Sequence, residues 1–331
     1  MSYFLEIGGG RVAAFLFTFG GTAVFGLFLV PLLRRLKFGQ TVRDDMPETH
    51  LAKNGTPTMG GLMFLLPAAV VLLALAAGDP RTVTILCATL GFGLVGFADD
   101  LLIILRKTKD GLSPKQKTLG QLAVALAFTL YLVFGLDFGT GIALPLSGLR
   151  AEVVLPVWLY IPFTVLVFYA VTNAANFTDG IDGLASSVTL IIFVAFTLTA
   201  ALDVKNDGAM LTTAALAGGC LGFLLYNAHP ARVIMGDCGS LALGGGVAAA
   251  AVFARAHWII LFFAFIYVAE ALSVVIQVAV YKRTRRRVFK MAPIHHHFEK
   301  SGWGEWRIVA VFCAVTLVCC GAGMLLLFGQ L

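Results

Sequence analysis

The chain has 331 residues, of which 59% are hydrophobic and only 13% charged, and its formal net charge is +6. An ordinary soluble domain carries about 25% charged residues, so that class is excluded. Apolar runs close to twenty residues recur along the chain, the length that spans a bilayer core of about 30 Å.

These runs predict an all-α polytopic membrane protein forming one transmembrane domain over 1–331. Its ten spans lie near 11–33, 59–77, 82–105, 118–136, 157–173, 184–202, 209–227, 239–254, 258–281 and 307–329. The first run lacks a basic leader and a small-residue cleavage site, so it reads as a span and not a signal peptide. With ten spans, loops 34–58, 106–117, 174–183, 228–238 and 282–306 share one side. That side, with Arg307 at its last boundary, holds all the Lys and Arg except Arg11, Arg81, Arg150, Lys205 and Arg255. The positive-inside rule then places these loops in the cytoplasm and both termini outside. Such a charge distribution belongs to a membrane interface and not to nucleic-acid binding.

In chain order, the loop after the first span carries Lys53 and then Asn54-Gly55-Thr56-Pro57-Thr58-Met59-Gly60-Gly61. A lysine beside such a tight turn suits a phosphate, and a helix-start loop with a solvated Lys is the alternative. The third span ends in Asp99-Asp100, two carboxylates that are costly at a membrane edge unless paired, metal-bound or facing water. Adjacent helical residues point about 100° apart, so the two acids are expected to have different roles. Next comes the basic run 107–117, which includes Lys107 and Lys115 and suits a diphosphate or lipid phosphate. The outer segment 137–155 alternates apolar residues with glycine and predicts a small hairpin.

The fifth span delivers Asn173-Ala-Ala-Asn-Phe-Thr-Asp-Gly-Ile-Asp-Gly183, a polar knot between two apolar runs. Asp179 and Asp182 are three apart and would share one face if helical. The seventh span ends at Asn227. Met235-Gly-Asp-Cys-Gly-Ser240 opens the eighth and puts Asp237 at a helix N-terminus, suited to a metal with backbone N–H groups nearby for phosphate, or else to a simple cap. Glu270 lies deep in the ninth span and reads as an internal hydrogen-bonding residue. The last inner loop carries Pro293-Ile-His-His-His-Phe-Glu299. Its spacing does not match a zinc helix, and His295, His296 and His297 read better as partners of a diphosphate or sugar. Every polar cluster falls on the same predicted face. Carboxylates, amides, Lys and His together suit Mg²⁺ and a phosphorylated substrate, which points to phosphoryl or phospho-sugar transfer at a membrane surface.

The blocks at 56–61, Asp99-Asp100, 173–183, 235–241 and 293–299 occur in order. In them the chain resembles the bacterial phospho-N-acetylmuramoyl-pentapeptide-transferases, of the polyprenyl-phosphate N-acetylhexosamine-1-phosphate transferase superfamily. The resemblance implies transfer of phospho-MurNAc-pentapeptide from UDP-MurNAc-pentapeptide to undecaprenyl phosphate, giving lipid I and UMP. It also implies a multi-pass protein of the bacterial cytoplasmic membrane, Mg²⁺ dependence and a homodimer. By motif, Asp237 matches the Mg²⁺ ligand, and Asp99 and Asp100 the catalytic pair. Asn173, Asn176, Asp179, Asp182, Asn227 and the His295–His297 cluster match the substrate site, and Lys53, Lys107 and Lys115 its phosphate-contacting lysines. Cys238 and Ile234 depart from the family's usual Thr and Phe, and the missing aromatic removes a stacking surface for uracil. A GlcNAc-1-phosphate transferase is the nearer alternative. A secondary transporter is the more distant one, because transporter sites lie near the midplane between repeats.

Overall fold

The computed structural model describes residues 2–36, 55–76, 78–106, 111–145, 151–202 and 207–328. Lys53 and Lys107 lie outside them. Helix α1 spans Ser2–Arg35 and α2 spans Leu62–Leu75; α3 follows at Pro80–Arg106 and α4 at Pro114–Leu130, prolonged by a π-helical turn, Tyr131–Gly135. Strands β1, Gly141–Ala143, and β2, Glu152–Val154, pair antiparallel with Ile142 opposite Val153, which is the expected hairpin. Then come α5 (Val157–Thr178), α6 (Leu184–Leu202), α7 (Asp207–Asn227) and α8 (Gly236–Phe253). A 3₁₀ turn at His257–Ile259 leads into the short α9, Ile260–Phe263, and then α10 (Phe265–Thr284), α11 (Ile294–Glu299) and α12 (Glu305–Phe328).

Among the described residues nine helices are long and apolar enough to cross a membrane. The tenth expected span is α2, whose 14 residues rise only about 21 Å. It is short because Thr56–Gly61 is not helical but pairs with another segment, as described below. The expected 258–281 span is also corrected. Ala264, at φ −103° and ψ 33°, interrupts it, and α10 proper begins at Phe265. The first helix begins well before residue 11.

The bundle is centred on α8, whose side chains from Cys238 to Phe253 are all buried. A helix apolar on every face is stable only when enclosed on every face. Its small residues let neighbouring backbones come close, the usual means of helix association in lipid. A side chain at Gly245 would strike the ring of Phe92 on α3, and one at Gly244 the backbone of Thr172 on α5. Phe92 in turn stacks on Phe168, with ring centroids 5.6 Å apart. On the side bearing the hairpin, Arg255 pairs with Glu152 at 2.7 Å, and the indole of Trp258 donates to the Ala143 carbonyl at 2.8 Å. The C-terminal ends of α3 and α5 and the N-terminal ends of α4 and α8 meet at the opposite side.

Candidate active site

At that meeting point four helices each bring polar groups. Asp99 and Asp100 close the buried stretch of α3, and their side chains diverge as adjacent helical residues must. One Asp99 oxygen accepts the Leu112 N–H at 2.9 Å, which ties down the entry to α4. Asp100 faces the start of α8 and accepts the N–H groups of Asp237 at 3.2 Å and Cys238 at 3.0 Å. Asp100 therefore caps α8 from another helix. This corrects one expectation: those two N–H groups are already engaged by a carboxylate and do not face a phosphate. Capping here removes orphan donors and places negative charge against the positive end of the helix.

Asp237 occupies the first turn of α8. Lys117, in the first turn of α4, is ion-paired to its Oδ2, and the Asn176 amide of α5 donates to Oδ1 at 2.7 Å. Asn176 also donates to Ser240 Oγ at 2.9 Å and accepts from Lys117 at 3.4 Å. The Asp99 and Asp237 carboxyls lie within hydrogen-bonding reach of each other. The close approach needs glycine, since a Cβ at Gly96 would overlap the Asp237 carbonyl group. Among the described residues one cation, Lys117, thus stands among three carboxylates and one amide. The donors facing it are hard oxygens, the set that suits Mg²⁺, and Lys117 occupies the place where such a charge is wanted.

The segment before α2 completes this floor. Gly60 donates to the Ile234 carbonyl and Gly61 to the Met235 carbonyl, both at 2.9 Å, while Ile234 donates to the Pro57 carbonyl at 2.8 Å. Two motifs far apart in sequence are therefore one backbone ladder, and Gly61 lies so close to Gly239 that a side chain would overlap it.

The glycosyl transferase family 4 model matches residues 82–255, which contain the site residues of all four helices, and a phospho-N-acetylmuramoyl-pentapeptide-transferase signature matches residues 53–65. The phospho-N-acetylmuramoyl-pentapeptide-transferase of Acetivibrio thermocellus is 50% identical over 313 residues, covering 95% of this chain and 94% of that protein. The chain belongs to the phospho-N-acetylmuramoyl-pentapeptide-transferase family. Its namesakes from Pelotomaculum thermopropionicum and Carboxydothermus hydrogenoformans are 46% and 45% identical, covering 94% and 96% of this chain and 96% and 94% of those proteins.

Several other residues that match the transferase family's motifs are placed elsewhere. Asp179 and Asp182 do not share a helical face. The α5 helix stops at Thr178, Asp179 is its C-cap with ψ 56°, and Gly183 at φ +75° turns the chain into α6. Buried Asp182 accepts from His229 Nδ1 and the Ala231 N–H, each at 3.0 Å, and its own N–H donates to Glu305 at 3.1 Å. Asp182, His229 and Glu305 thus form a second polar cluster, which pins the start of α12 to the loops after α5 and α7. Asn227 is wholly engaged inside the protein, accepting from Gly183 N–H and Ser186 Oγ and donating to the Val233 carbonyl. Asn173 donates to Gln121 at 2.8 Å and to the Tyr169 carbonyl at 2.7 Å, one helical turn deeper than Asn176. Lys115 is exposed, because two residues along α4 is about 200° round the helix from Lys117.

The three histidines differ from one another. His295 and His296 are buried, His295 against Glu270 with Nδ1 3.0 Å from the carboxylate and His296 against Glu299 at 2.5 Å. His297 is partly exposed and accepts the Lys290 N–H at 3.1 Å. Sequence reasoning did not single out Lys117 or Ser240. The available signal for Lys117 was its place in the first turn of an apolar helix, where a charge needs a partner.

Proposed function

We propose that this chain transfers phospho-MurNAc-pentapeptide from UDP-MurNAc-pentapeptide to undecaprenyl phosphate, forming lipid I and UMP, at the cytoplasmic face of the bacterial cytoplasmic membrane. The observation that carries this reading is the convergence of Asp99, Lys117, Asn176 and Asp237 at one end of a bundle whose full-length relatives bear that name. In the transfer, an oxygen of the lipid phosphate forms a bond to the sugar-linked β-phosphorus. The bond from that phosphorus to the bridging oxygen breaks, and UMP leaves with its electrons. Asp99 accepts the proton of the attacking phosphate and orients it. Lys117 turns from Asp237 to the diphosphate and balances its charge. Asn176 and Ser240 hold the Asp237 carboxylate in place, and Asp100 keeps the first turn of α8 where Asp237 is needed. Asp237, with Asp99 beside it, would hold Mg²⁺, which when bound neutralises charge on the diphosphate and the leaving UMP. Such a reaction depends on positioning and charge neutralisation, which is what this site offers. A homodimer is part of the same reading.

The test is release of UMP by purified protein given undecaprenyl phosphate, with either UDP-MurNAc-pentapeptide or UDP-GlcNAc, in the presence of Mg²⁺ or EDTA. We expect UMP from the muramoyl donor only, lost in EDTA and restored by Mg²⁺. Release from UDP-GlcNAc alone would refute the choice of donor, and release undiminished by EDTA would refute the metal.

A further inference from the structure

His295 is fully buried, and its two ring nitrogens have unlike surroundings. Nδ1 lies 3.0 Å from Glu270 Oε1, and the His295 backbone N–H reaches Glu270 Oε2 at 3.4 Å. One carboxylate on α10 thus holds both the imidazole and the first turn of α11. Two donors on one carboxylate fix the tautomer, with the proton on Nδ1. Nε2 is then a bare lone pair, and it is buried with no partner among the described residues. A buried polar atom without a partner is uncommon and calls for a reason.

The reason lies in what sits on top of it. The imidazole edge is pressed against Gly180, where an added Cβ would overlap Nε2 and lie 2.5 Å from Cε1. Gly180 is the residue between Asp179 and the buried Ile181-Asp182, in the turn that ends α5 and leads to α6. Asn176 lies one turn before this glycine on α5 and holds Asp237. The ring is therefore a rest on which the turn lies, and the absent side chain of Gly180 is the matching hollow.

We infer that Glu270 and His295 form a buried positioning dyad, in which the Glu270 carboxylate keeps the Nδ1–H tautomer beneath Gly180 and thereby sets the turn through Asp179, the residue of this turn that the motif resemblance assigns to the donor and that is not part of the Asp182–His229–Glu305 cluster. This rests on the reading of the chain as a UDP-linked phospho-sugar transferase. Neither residue needs to touch substrate. The dyad acts through the turn, so its loss is felt in donor binding before it is felt in the chemical step.

Glu270→Gln tests this directly. The amide keeps the size of the carboxylate but offers one acceptor, and its NH₂ favours the opposite tautomer, with the proton on Nε2. In protein labelled with ¹⁵N-histidine, the His295 signal should change from the Nδ1–H to the Nε2–H pattern. The KM for UDP-MurNAc-pentapeptide should rise about tenfold, with kcat within about threefold of wild type. Gly180→Ala should raise the same KM from the other side of the contact, and the double variant Gly180→Ala with His295→Ala should recover part of the loss. Unchanged kinetics in both Glu270→Gln and Gly180→Ala would overturn the inference, as would a fall in kcat with KM intact. Wild-type protein that releases no UMP from that donor would overturn instead the reading on which the inference rests.

Discussion

Lys117 is the residue on which the site's charges depend. It is the ion-pair partner of Asp237 and lies amid Asp99 and Asp100. Three carboxylates at a membrane edge without that cation would repel one another and face an unfavourable solvent. Lys117→Met should cut turnover by about 10²–10³-fold, the usual scale for loss of one charge-stabilising group. Asp237→Ala should cost at least as much, whereas Lys115→Met should leave turnover near wild type because Lys115 points outward. UMP release measured side by side for the three variants checks this. Equal losses from Lys115 and Lys117 would refute the assignment. The two neighbouring acids of α3 separate in the same way. Asp100 is engaged by two backbone N–H groups of α8 and Asp99 by one N–H of the loop before α4, so the proposed reading gives the acceptor role to Asp99.

At the level of elements, the site exists because helix ends can approach within van der Waals contact. Gly96 is the tightest case, and Gly96→Ala should displace the first turn of α8, destabilise the protein by about 1–3 kcal/mol and lower turnover with it. Gly20→Ala on α1, where an added Cβ meets nothing within 4 Å, should do neither. Thermal unfolding in detergent, read beside UMP release, distinguishes the two. Much of this level was legible in the sequence. Hydrophobic length marks the spans, because a bilayer imposes one length on every crossing. The polar blocks stand out because charge in such runs is expensive. What was hidden depends on which helix lies next to which. Nothing local to Lys117 says that it meets Asp237, 120 positions away. The end of α5 at Thr178, which separates Asp179 from Asp182, was hinted at only by Gly180 and Gly183. The break at Ala264 carries no local signal at all, since alanine is a good helix former.

For the whole molecule, the charge asymmetry and the site agree on one direction. All the site's helix ends lie opposite the β1–β2 hairpin, and the basic cluster Lys282 to Arg287 begins in the last turn of α10 on the site's side. A cysteine placed at Arg286 should be shielded from a membrane-impermeant maleimide in intact cells and react once the cells are opened. One at Val154 should react in both. The reverse pattern would invert the orientation and place the site outside.

The backbone ladder between Pro57–Gly61 and Ile234–Met235 has a consequence in time. A membrane chain is threaded into the bilayer from its N-terminus as it is made. The Gly60 and Gly61 amides therefore emerge long before Ile234 and Met235 are synthesised to receive them. Until then those amides need water or another partner at the bilayer surface, because a bare donor cannot rest in hydrocarbon. The early helices must accordingly wait with this edge open, and the candidate site is complete only once α8 lies beside α3. The candidate site is thus completed late in this chain's own synthesis, and a protein truncated before residue 234 would carry Asp99, Lys117 and Asn176 without Asp237, the residue of α8 that joins them.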